Sequence, residues 1–293
     1  MIVFIALGLT VSLVIAAIAV YIGKRAFAPP RNRPDRFLKS RHHGTRTVIV
    51  CLGDSITHGH VSHNYVDMLE ETLSKQRIAV VNAGMNGDLA YNLLSRMDGI
   101  VQCQPDVATI LIGTNDVGAS ISEKSNDFYV KLKKLPERPT LAWFELQLRK
   151  IITRLKTETR ASIAVSSLPV LGEDLSSLAN RNTRLYSESI KKITSEEGIA
   201  YLPLNEEQRA YLEKHPSRDA EPFTQTHSFS VFYAIIERYL FGRSLDEIGR
   251  RRGFQLTCEG VHMNRRGAEM IYELSLEFIR QALEERKGST ACL

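Results

Sequence analysis

The chain is poor in cysteine, and its few cysteines are not spaced for a metal site or a disulfide framework. Its 293 residues include four, scattered at Cys51, Cys103, Cys258 and Cys292. A Cys-x-x-Cys pair, the usual beginning of a zinc site, is absent. A His-x-His-x-x-His cluster is present, but no carboxylate or cysteine completes an obvious ligand set around His58, His60 and His63. We therefore expect neither a bound metal nor a disulfide-stapled fold.

The chain also lacks internal repeats, low-complexity tracts and any motif typical of nucleic-acid binding. Its formal net charge is +5, but the lysines and arginines are spread along the sequence. No nucleic-acid partner is expected, and nothing in the sequence indicates an oligomeric state. The composition is that of an ordinary globular protein. About 250 residues remain after the apolar N-terminal segment, enough for one α/β domain with its own core.

Charge is missing from residues 2–22, which are dominated by Ile, Val, Leu and Ala. About 20 such residues are needed to span a bilayer as a helix. A cleaved signal peptide is the alternative, because Ala26-Phe27-Ala28 resembles a cleavage site. However, no basic residues precede the apolar run, and the run is longer than a usual signal core. We therefore predict a single-pass transmembrane anchor over residues 1–23.

Residues 24–45 are basic and contain proline, which predicts a juxtamembrane linker. Because positive charge favours the cytoplasmic side, we expect the domain that follows to be cytoplasmic. Two interpretations of this stretch remain open, a segment lying against anionic headgroups and a solvated linker. Its basic residues are Lys24, Arg25, Arg31, Arg33, Arg36, Lys39 and Arg41.

Strand-like and helix-like patterns alternate over residues 46–286, followed by a tail at 287–293. Apolar, β-branched runs predict strands at 46–52, 78–83, 107–112, 161–168 and 199–204. Helical periodicity lies between and after them, at 62–76, 88–102, 140–157, 176–196 and 265–286. This alternation favours a parallel sheet with crossover helices.

A serine follows the first strand at the point where the strand ends. Residues 53–59 read Gly-Asp-Ser-Ile-Thr-His-Gly, and α/β proteins bind ligands at the carboxyl ends of their strands. Ser55 is therefore a candidate nucleophile. Taken alone, the motif is more often an ordinary turn that contains a capping serine.

A base for this serine is found near the other end of the chain. Residues 259–264 read Glu-Gly-Val-His-Met-Asn. A carboxylate three residues before a histidine can lie on the same side of a tight loop, accept the Nδ1–H and stabilise the imidazolium. We interpret His262 as the base and Glu259 as its orienting carboxylate.

Two segments are candidates for the oxyanion donors. Residues 82–88 follow the second strand and contain glycines that allow a backbone N–H to approach a substrate closely. Residues 113–116, Gly-Thr-Asn-Asp, follow the third strand, and the amide of Asn115 is a second donor.

These four blocks, in this order, resemble the SGNH (GDSL) hydrolase family over roughly residues 46–285. The resemblance implies a three-layer, flavodoxin-like α/β fold with a central parallel five-stranded sheet, no cofactor, Ser55 as nucleophile and His262 as base. It also implies an oxyanion hole formed by the Ser55 and Gly87 N–H groups and the Asn115 side chain. The chain has Glu259 where the family usually has aspartate, and Met263 where proline is common. The Gly-x-Ser-x-Gly elbow of α/β-hydrolases is absent.

A long connection at residues 206–255 lies directly before Glu259 and is predicted to be a helical insert. Two interpretations remain open, a lid or acyl-binding wall and a helix that simply covers the sheet. Its apolar residues at helical spacing are Phe229, Phe232, Tyr233, Ile235, Ile236, Tyr239, Leu240 and Phe241.

The sequence thus predicts a serine hydrolase that cleaves carboxylic esters through an acyl-enzyme. The apolar N-terminal segment and the aromatic insert favour a lipid or other acyl ester at a membrane. Two alternatives are an O-acetyl esterase or acetyltransferase acting on a glycan, and a non-catalytic, membrane-tethered binding protein. The second is disfavoured because Ser55, Asn115 and His262 are all present.

Overall fold

A fully parallel five-stranded sheet forms the centre of the protein. The computed structural model describes residues 2–40, 47–217, 220, 223 and 228–291, so position 46 of the first predicted strand lies outside it. The strand order is β2-β1-β3-β4-β5, which is the flavodoxin-like order. The predicted central sheet is confirmed, and its strands are β1 Thr47–Gly53, β2 Ile78–Gly84, β3 Val107–Leu111, β4 Ser162–Ser166 and β5 Ala200–Leu202.

The register brings the carboxyl ends of three neighbouring strands to one level. Gly53 at the end of β1 pairs with Gly84 at the end of β2 on one side and with Leu111 at the end of β3 on the other. The chain segments that leave these three strands therefore begin side by side, at one edge of the sheet.

Both faces of the sheet are covered, because successive side chains of each strand point to opposite sides. On β1, Val50 and Leu52 belong to a core that includes residues of the helices within 90–102, 141–158 and 178–197. Ile49 and Cys51 belong to a second core, with residues of the helices at 65–73, 204–214 and 265–291. The central strands are consequently buried on both faces, which explains their continuous apolar runs.

The helices mostly lie where the periodicity predicts them. Their bounds are α1 Ile2–Ala26, α2 Pro34–Lys39, α3 Ser55–His58, α4 Tyr65–Leu73, α5 Ala90–Ser95, α6 Met97–Gln102, α7 Thr114–Ser120, α8 Glu123–Lys133, α9 Leu141–Glu158, α10 Leu178–Glu197, α11 Leu204–Lys214, α12 Ser228–Tyr239, α13 Leu245–Arg251 and α14 Arg265–Ala291. A one-turn 3₁₀ helix, Ser74–Gln76, extends α4.

The predicted transmembrane anchor over residues 1–23 is wrong, and so is the membrane localisation that was built on it. Among the residues described, no helix is both long enough and apolar enough to cross a bilayer. The end of α1 instead packs on the domain, where Ile22 and Ala26 are buried and α1 contacts α12. Asn86 also donates its side-chain N–H to the carbonyl of Ala26 at 3.2 Å.

The predicted linker at residues 24–45 also contains regular structure. Within residues 24–45, α1 continues to Ala26 and α2 occupies Pro34–Lys39, while residues 41–46 lie outside the described part of the chain. The side-chain amide of Asn32 donates to the carbonyl of Val80 in β2 at 2.9 Å. This segment therefore runs along the edge strand of the sheet.

Candidate active site

Ser55 is the first residue of α3, directly after β1. The side chain of Asp54 caps this short helix by accepting the N–H of Ile56 at 3.0 Å. A Cβ atom at Gly53 would lie 2.1 Å from Oγ1 of Thr57 and 2.5 Å from the carbonyl oxygen of Leu111. Only glycine fits at this close approach of strand and helix, and the turn it permits presents Ser55 at the carboxyl edge of the sheet.

Ser55, His262 and Glu259 form a continuous hydrogen-bonded chain. The Nε2 atom of His262 lies 2.9 Å from Oγ of Ser55, and its Nδ1 atom lies 2.7 Å from Oε1 of Glu259. The three residues are 8%, 6% and 1% exposed, respectively. This is the geometry in which a carboxylate fixes the histidine tautomer that can take a proton from a serine hydroxyl.

The loop that carries Glu259 and His262 folds into a tight hairpin-like turn. Thr257 and Met263 form an isolated antiparallel bridge, and the N–H of Cys258 donates to the carbonyl of His262 at 2.8 Å. Oε1 of Glu259 accepts the backbone N–H of His262 at 2.9 Å, in addition to the imidazole. The side chain of Glu259 thus bends back and contacts its own loop, which accommodates the methylene that glutamate has in addition to aspartate.

The second oxygen of Glu259 is held by a neighbouring thiol. Sγ of Cys258 lies 2.5 Å from Oε2 of Glu259. Burial, and secondarily the charge of Glu259, raise the pKa of the Cys258 thiol well above its usual value. The thiol therefore stays protonated and donates to the carboxylate. Nothing in the sequence pattern predicts this hydrogen bond from Cys258.

The pKa values of the pair indicate a stabilised imidazolium. Burial alone would lower the pKa of His262, but the charge of Glu259 and its hydrogen bond outweigh burial and raise that pKa above its ordinary value. For Glu259, burial raises the pKa, while the charge and hydrogen bonds of His262 outweigh it and lower the pKa. Glu259 is consequently ionised and favours proton transfer to His262.

Asn115 is held by two hydrogen bonds that orient its amide. Its Oδ1 accepts the hydroxyl of Tyr129 at 3.1 Å, and its Nδ2 donates to the carbonyl of Asp88 at 3.0 Å. Oδ1 and one proton of the NH₂ group are thus engaged, and Asn115 lines the cavity of the site. The second proton of that NH₂ group is then available to a substrate oxygen.

Gly87 lies in a turn that is held from two sides. Its φ is +72°, a value that favours glycine. Nζ of Lys133 donates to the carbonyl of Asn86 at 3.0 Å and to Oδ1 of Asp88 at 3.1 Å, the residues on either side of Gly87. Nε of Arg96 donates to Oδ2 of Asp88 at 2.8 Å. Lys133 and Tyr129 both belong to α8, a helix that the sequence pattern did not predict.

One cavity brings the predicted site residues together. Its volume is about 570 Å³, and Ser55, Gly87, Asn115 and His262 all line it. Most of the remaining wall is apolar, and more than half of its apolar residues belong to α8 and α12. Its apolar lining residues are Phe27, Val61, Ile121, Phe128, Leu132, Phe223, Phe229, Val231, Phe232, Ile235 and Val261.

The histidine cluster after Ser55 does not form a ligand set. The rings of His58 and His60 are in edge-to-face contact, with centroids 4.7 Å apart, and burial lowers the pKa of His58 to about 4. Within the described part of the chain, no three His, Cys, Asp or Glu side chains are grouped so that they could hold a metal ion.

A hydrogen-bonded Ser–His–Glu chain at the carboxyl edge of a parallel sheet is the arrangement of a serine hydrolase on an α/β fold. The model of the GDSL-like lipase/acylhydrolase family matches residues 51–270, most of the chain. The protein belongs to this family and is a carboxylic ester hydrolase of the SGNH type.

Solved structures of similar fold include two acetylxylan esterases. Axe2 from Geobacillus stearothermophilus is 17% identical, with a TM-score of 0.55 over 80% of this chain and 95% of that one. AlAXEase is 19% identical, with a TM-score of 0.57 over 78% of this chain and 98% of that one. At such low identity the likeness is one of fold. No curated protein matches the chain significantly.

Proposed function

We propose that the protein hydrolyses esters of apolar carboxylic acids, with Ser55 as nucleophile, His262 as general base and acid, and Glu259 as the carboxylate that orients the histidine. The observation that carries this proposal is the 2.9 Å contact between Ser55 Oγ and His262 Nε2, at the wall of an apolar cavity of about 570 Å³. A serine hydroxyl needs such a base to become a competent nucleophile.

The reaction proceeds in two halves. Oγ of Ser55 attacks the ester carbonyl while its proton passes to Nε2 of His262. The oxyanion accepts hydrogen bonds from the N–H groups of Ser55 and Gly87 and from Nδ2 of Asn115. Collapse of the tetrahedral intermediate breaks the carbon–oxygen bond, and His262 protonates the departing alcohol. Water then attacks the acyl-enzyme, gives its proton to His262 and releases the acid, and Ser55 recovers the proton.

The variants of a structural neighbour support these roles. Three variants of Axe2 that are described as catalytic mutants replace a serine, a histidine and an aspartate. Ser55, His262 and Glu259 are the same chemical types, with glutamate in place of aspartate. Either carboxylate can accept the Nδ1–H of the histidine.

An apolar acyl group is the substrate feature that the cavity favours. Aromatic and aliphatic side chains of α8 and α12, including Phe128, Leu132 and Phe232, form most of the apolar part of its wall. Each buried methylene of a substrate contributes about 0.8 kcal/mol, so binding should strengthen as the acyl chain lengthens. In this proposal α12 is the acyl-binding wall of the insert rather than only a cover for the sheet.

An O-acetyl ester of a glycan is the second candidate, and the fold likeness to two acetylxylan esterases favours it. The cavity argues against it, because an acetyl group is far smaller than this cavity and would leave the aromatic wall without a contact. A carbohydrate would also gain little from a wall that is mostly apolar.

A fluorophosphonate probe and an ester series test the proposal. We expect the probe to label the wild type and Ser74→Ala, an exposed-serine control, but not Ser55→Ala. With p-nitrophenyl acetate, butyrate, octanoate and laurate, kcat/KM should rise from acetate to octanoate. Absence of labelling in folded wild type would contradict the enzymatic mechanism. A maximum at acetate, together with activity on acetylated xylooligosaccharides, would favour the glycan alternative.

A further inference from the structure

Glu173 is a buried carboxylate outside the catalytic chain, in the segment between β4 and α10. It is 7% exposed, and both of its oxygens are occupied. Oε2 accepts the N–H of Gln255 at 2.7 Å and a hydroxyl hydrogen bond from Ser217. Oε1 accepts the N–H groups of Leu256 and Thr257 at 2.8 and 2.9 Å. It also accepts the hydroxyl of Thr257 at 3.0 Å.

The three backbone donors are the residues that lead into the catalytic loop. Residues 255–257 immediately precede Cys258, which donates to the carboxylate of Glu259. The hydroxyl of Thr257 links the two ends of this network, because it donates to Glu173 and accepts the N–H of Gly260 at 3.1 Å. The side chain of Thr257 therefore links the carboxylate of Glu173 to the turn between Glu259 and His262.

The residue next to Glu173 holds the far side of the same turn. The N–H of Gly172 donates to the carbonyl of Gly260 at 2.6 Å. Two consecutive residues thus contact the catalytic loop. Gly172 contacts it at Gly260, and Glu173 contacts residues 255–257, where the loop begins. A carboxylate suits the start of the loop because it only accepts hydrogen bonds, and the three successive N–H groups of residues 255–257 converge on it.

We propose that Glu173 is a positioning residue, which holds the loop of Glu259 and His262 at the distance from Ser55 that proton transfer requires. The inference rests on the proposed function, since it assigns a task to the loop only if His262 acts as the base. Through Ser217, the same carboxylate also ties the segment after α11 to the catalytic loop. The segment after α11, which belongs to the insert at 206–255, and the loop of His262 are therefore both hydrogen-bonded to the side chain of Glu173.

Glu173→Gln is the sharpest single test. Glutamine has nearly the same volume, but it has only one acceptor oxygen, and its NH₂ group would face backbone N–H donors. We expect kcat for p-nitrophenyl butyrate to fall by about 10²-fold with little change in KM, because small displacements of catalytic groups cost about this much. Glu206→Gln is the matched control, as Glu206 also accepts two hydroxyl hydrogen bonds but lies on α11.

A pH profile separates positioning from a loss of folding. His262 faces Glu259 in its own loop, and Asp54 and His58 from the segment around Ser55. Loosening the loop weakens the Glu259 contact, so the acid limb of kcat/KM should move to lower pH in Glu173→Gln. At nearly equal volume, Thr257→Val removes the hydroxyl that donates to Glu173 and accepts the N–H of Gly260. We expect Thr257→Val to lower kcat less than Glu173→Gln does and to shift the acid limb in the same direction. It provides the test if Glu173→Gln does not fold.

The outcomes distinguish the two proposals. Probe labelling that is absent from wild type contradicts the proposed function, whatever Glu173→Gln does. Labelling in wild type but not in Ser55→Ala, together with an unchanged kcat and pH profile in both Glu173→Gln and Thr257→Val, overturns the positioning role alone. A loss of kcat that is equal in Glu206→Gln and Glu173→Gln overturns it as well.

Discussion

The hydroxyl of Tyr129 donates a hydrogen bond to Oδ1 of Asn115 at 3.1 Å. This contact and the hydrogen bond from Nδ2 to the carbonyl of Asp88 at 3.0 Å together fix the orientation of the Asn115 amide, and they leave the second Nδ2 proton for a substrate oxygen. Tyr129 belongs to α8, which also provides Lys133 against the Gly87 turn. One helix therefore supports both Gly87 and Asn115, the two proposed oxyanion donors other than Ser55.

Tyr129→Phe should lower kcat by about 10-fold and leave KM nearly unchanged. The ring stays in the cavity wall, but the amide of Asn115 loses one of the two hydrogen bonds that orient it. Complete removal of an oxyanion donor costs about 10²- to 10³-fold, so loss of its orientation should cost less. Steady-state kinetics on p-nitrophenyl butyrate measure the effect.

Tyr272→Phe is the matched control for this change. Its hydroxyl is also hydrogen-bonded, 2.9 Å from Oγ1 of Thr72, but it lies on α14. A tenfold loss in both variants would contradict a specific role of Tyr129 at Asn115.

Glu259→Gln should lower kcat strongly and move the acid limb of the kcat/KM profile. His262 acts only when neutral, so activity rises as pH rises through its pKa. The charge of Glu259 keeps this pKa above its ordinary value, and removing the charge should shift the limb to lower pH. The loss at the plateau should be about 10²- to 10⁴-fold, because glutamine also permits the unproductive tautomer. A shift to higher pH would contradict the assignment.

Glu259→Asp should also be slower than wild type, although aspartate is the residue usual in the family. The Glu259 carboxylate accepts from Nδ1 and the backbone N–H of His262 at 2.7 and 2.9 Å, and from the thiol of Cys258. A side chain that is shorter by one methylene cannot keep all three contacts in this loop. We expect about a 10-fold lower kcat, in line with the cost of small displacements. A rate equal to or above that of wild type would show that the reach of the glutamate is not used.

The sheet and the hydrogen-bonded contact of Ser55, His262 and Glu259 could be predicted from sequence, but the helix that supports the proposed oxyanion donors could not. Ser55, Gly87, Asn115 and His262 follow strands or precede α14, and the parallel register brings them to one edge of the sheet. By contrast, α8 has no fully buried residue, so it has no strong apolar period. Its one local signal is the N-cap at Ser122, whose hydroxyl accepts the N–H of Ser125 at 3.1 Å.

The N-terminal error has a related cause. Length and apolar composition favour a span, but they do not show whether the end of the helix contacts the rest of the protein. The end of α1 makes such a contact, since Ile22 and Ala26 are buried there, and Phe27 lines the cavity. Sequence alone could not place this contact, because its partner on α12 lies some two hundred positions away.

Phe232→Ala should reduce the preference for longer acyl chains. Phe232 lines the cavity but is 55% exposed, so a bound acyl chain would cover only part of its ring. A loss of about 1 kcal/mol, or about fivefold in kcat/KM, is expected for octanoate. Acetate hydrolysis should be unchanged. Phe241→Ala is the control, because Phe241 is 63% exposed and is absent from the residues that line the cavity. Equal losses on both esters would contradict a role in chain-length preference.

Asp116→Asn should stabilise the protein at alkaline pH more than at acidic pH. Asp116 is fully buried beside Asn115, and burial raises its pKa from 3.8 to about 7. Between these values the folded protein binds a proton that the unfolded chain does not, so the free energy of unfolding falls as pH rises through this window. Asparagine is neutral throughout and keeps an oxygen for the N–H of Ala90, which Asp116 now accepts at 3.1 Å. Thermal unfolding should show a gain that is larger at pH 8 than at pH 5 by about 3 kcal/mol, since roughly two pH units of this window lie above pH 5 and each corresponds to about 1.4 kcal/mol. A gain that is the same at both pH values would mean that the charge of Asp116 is not what destabilises the fold.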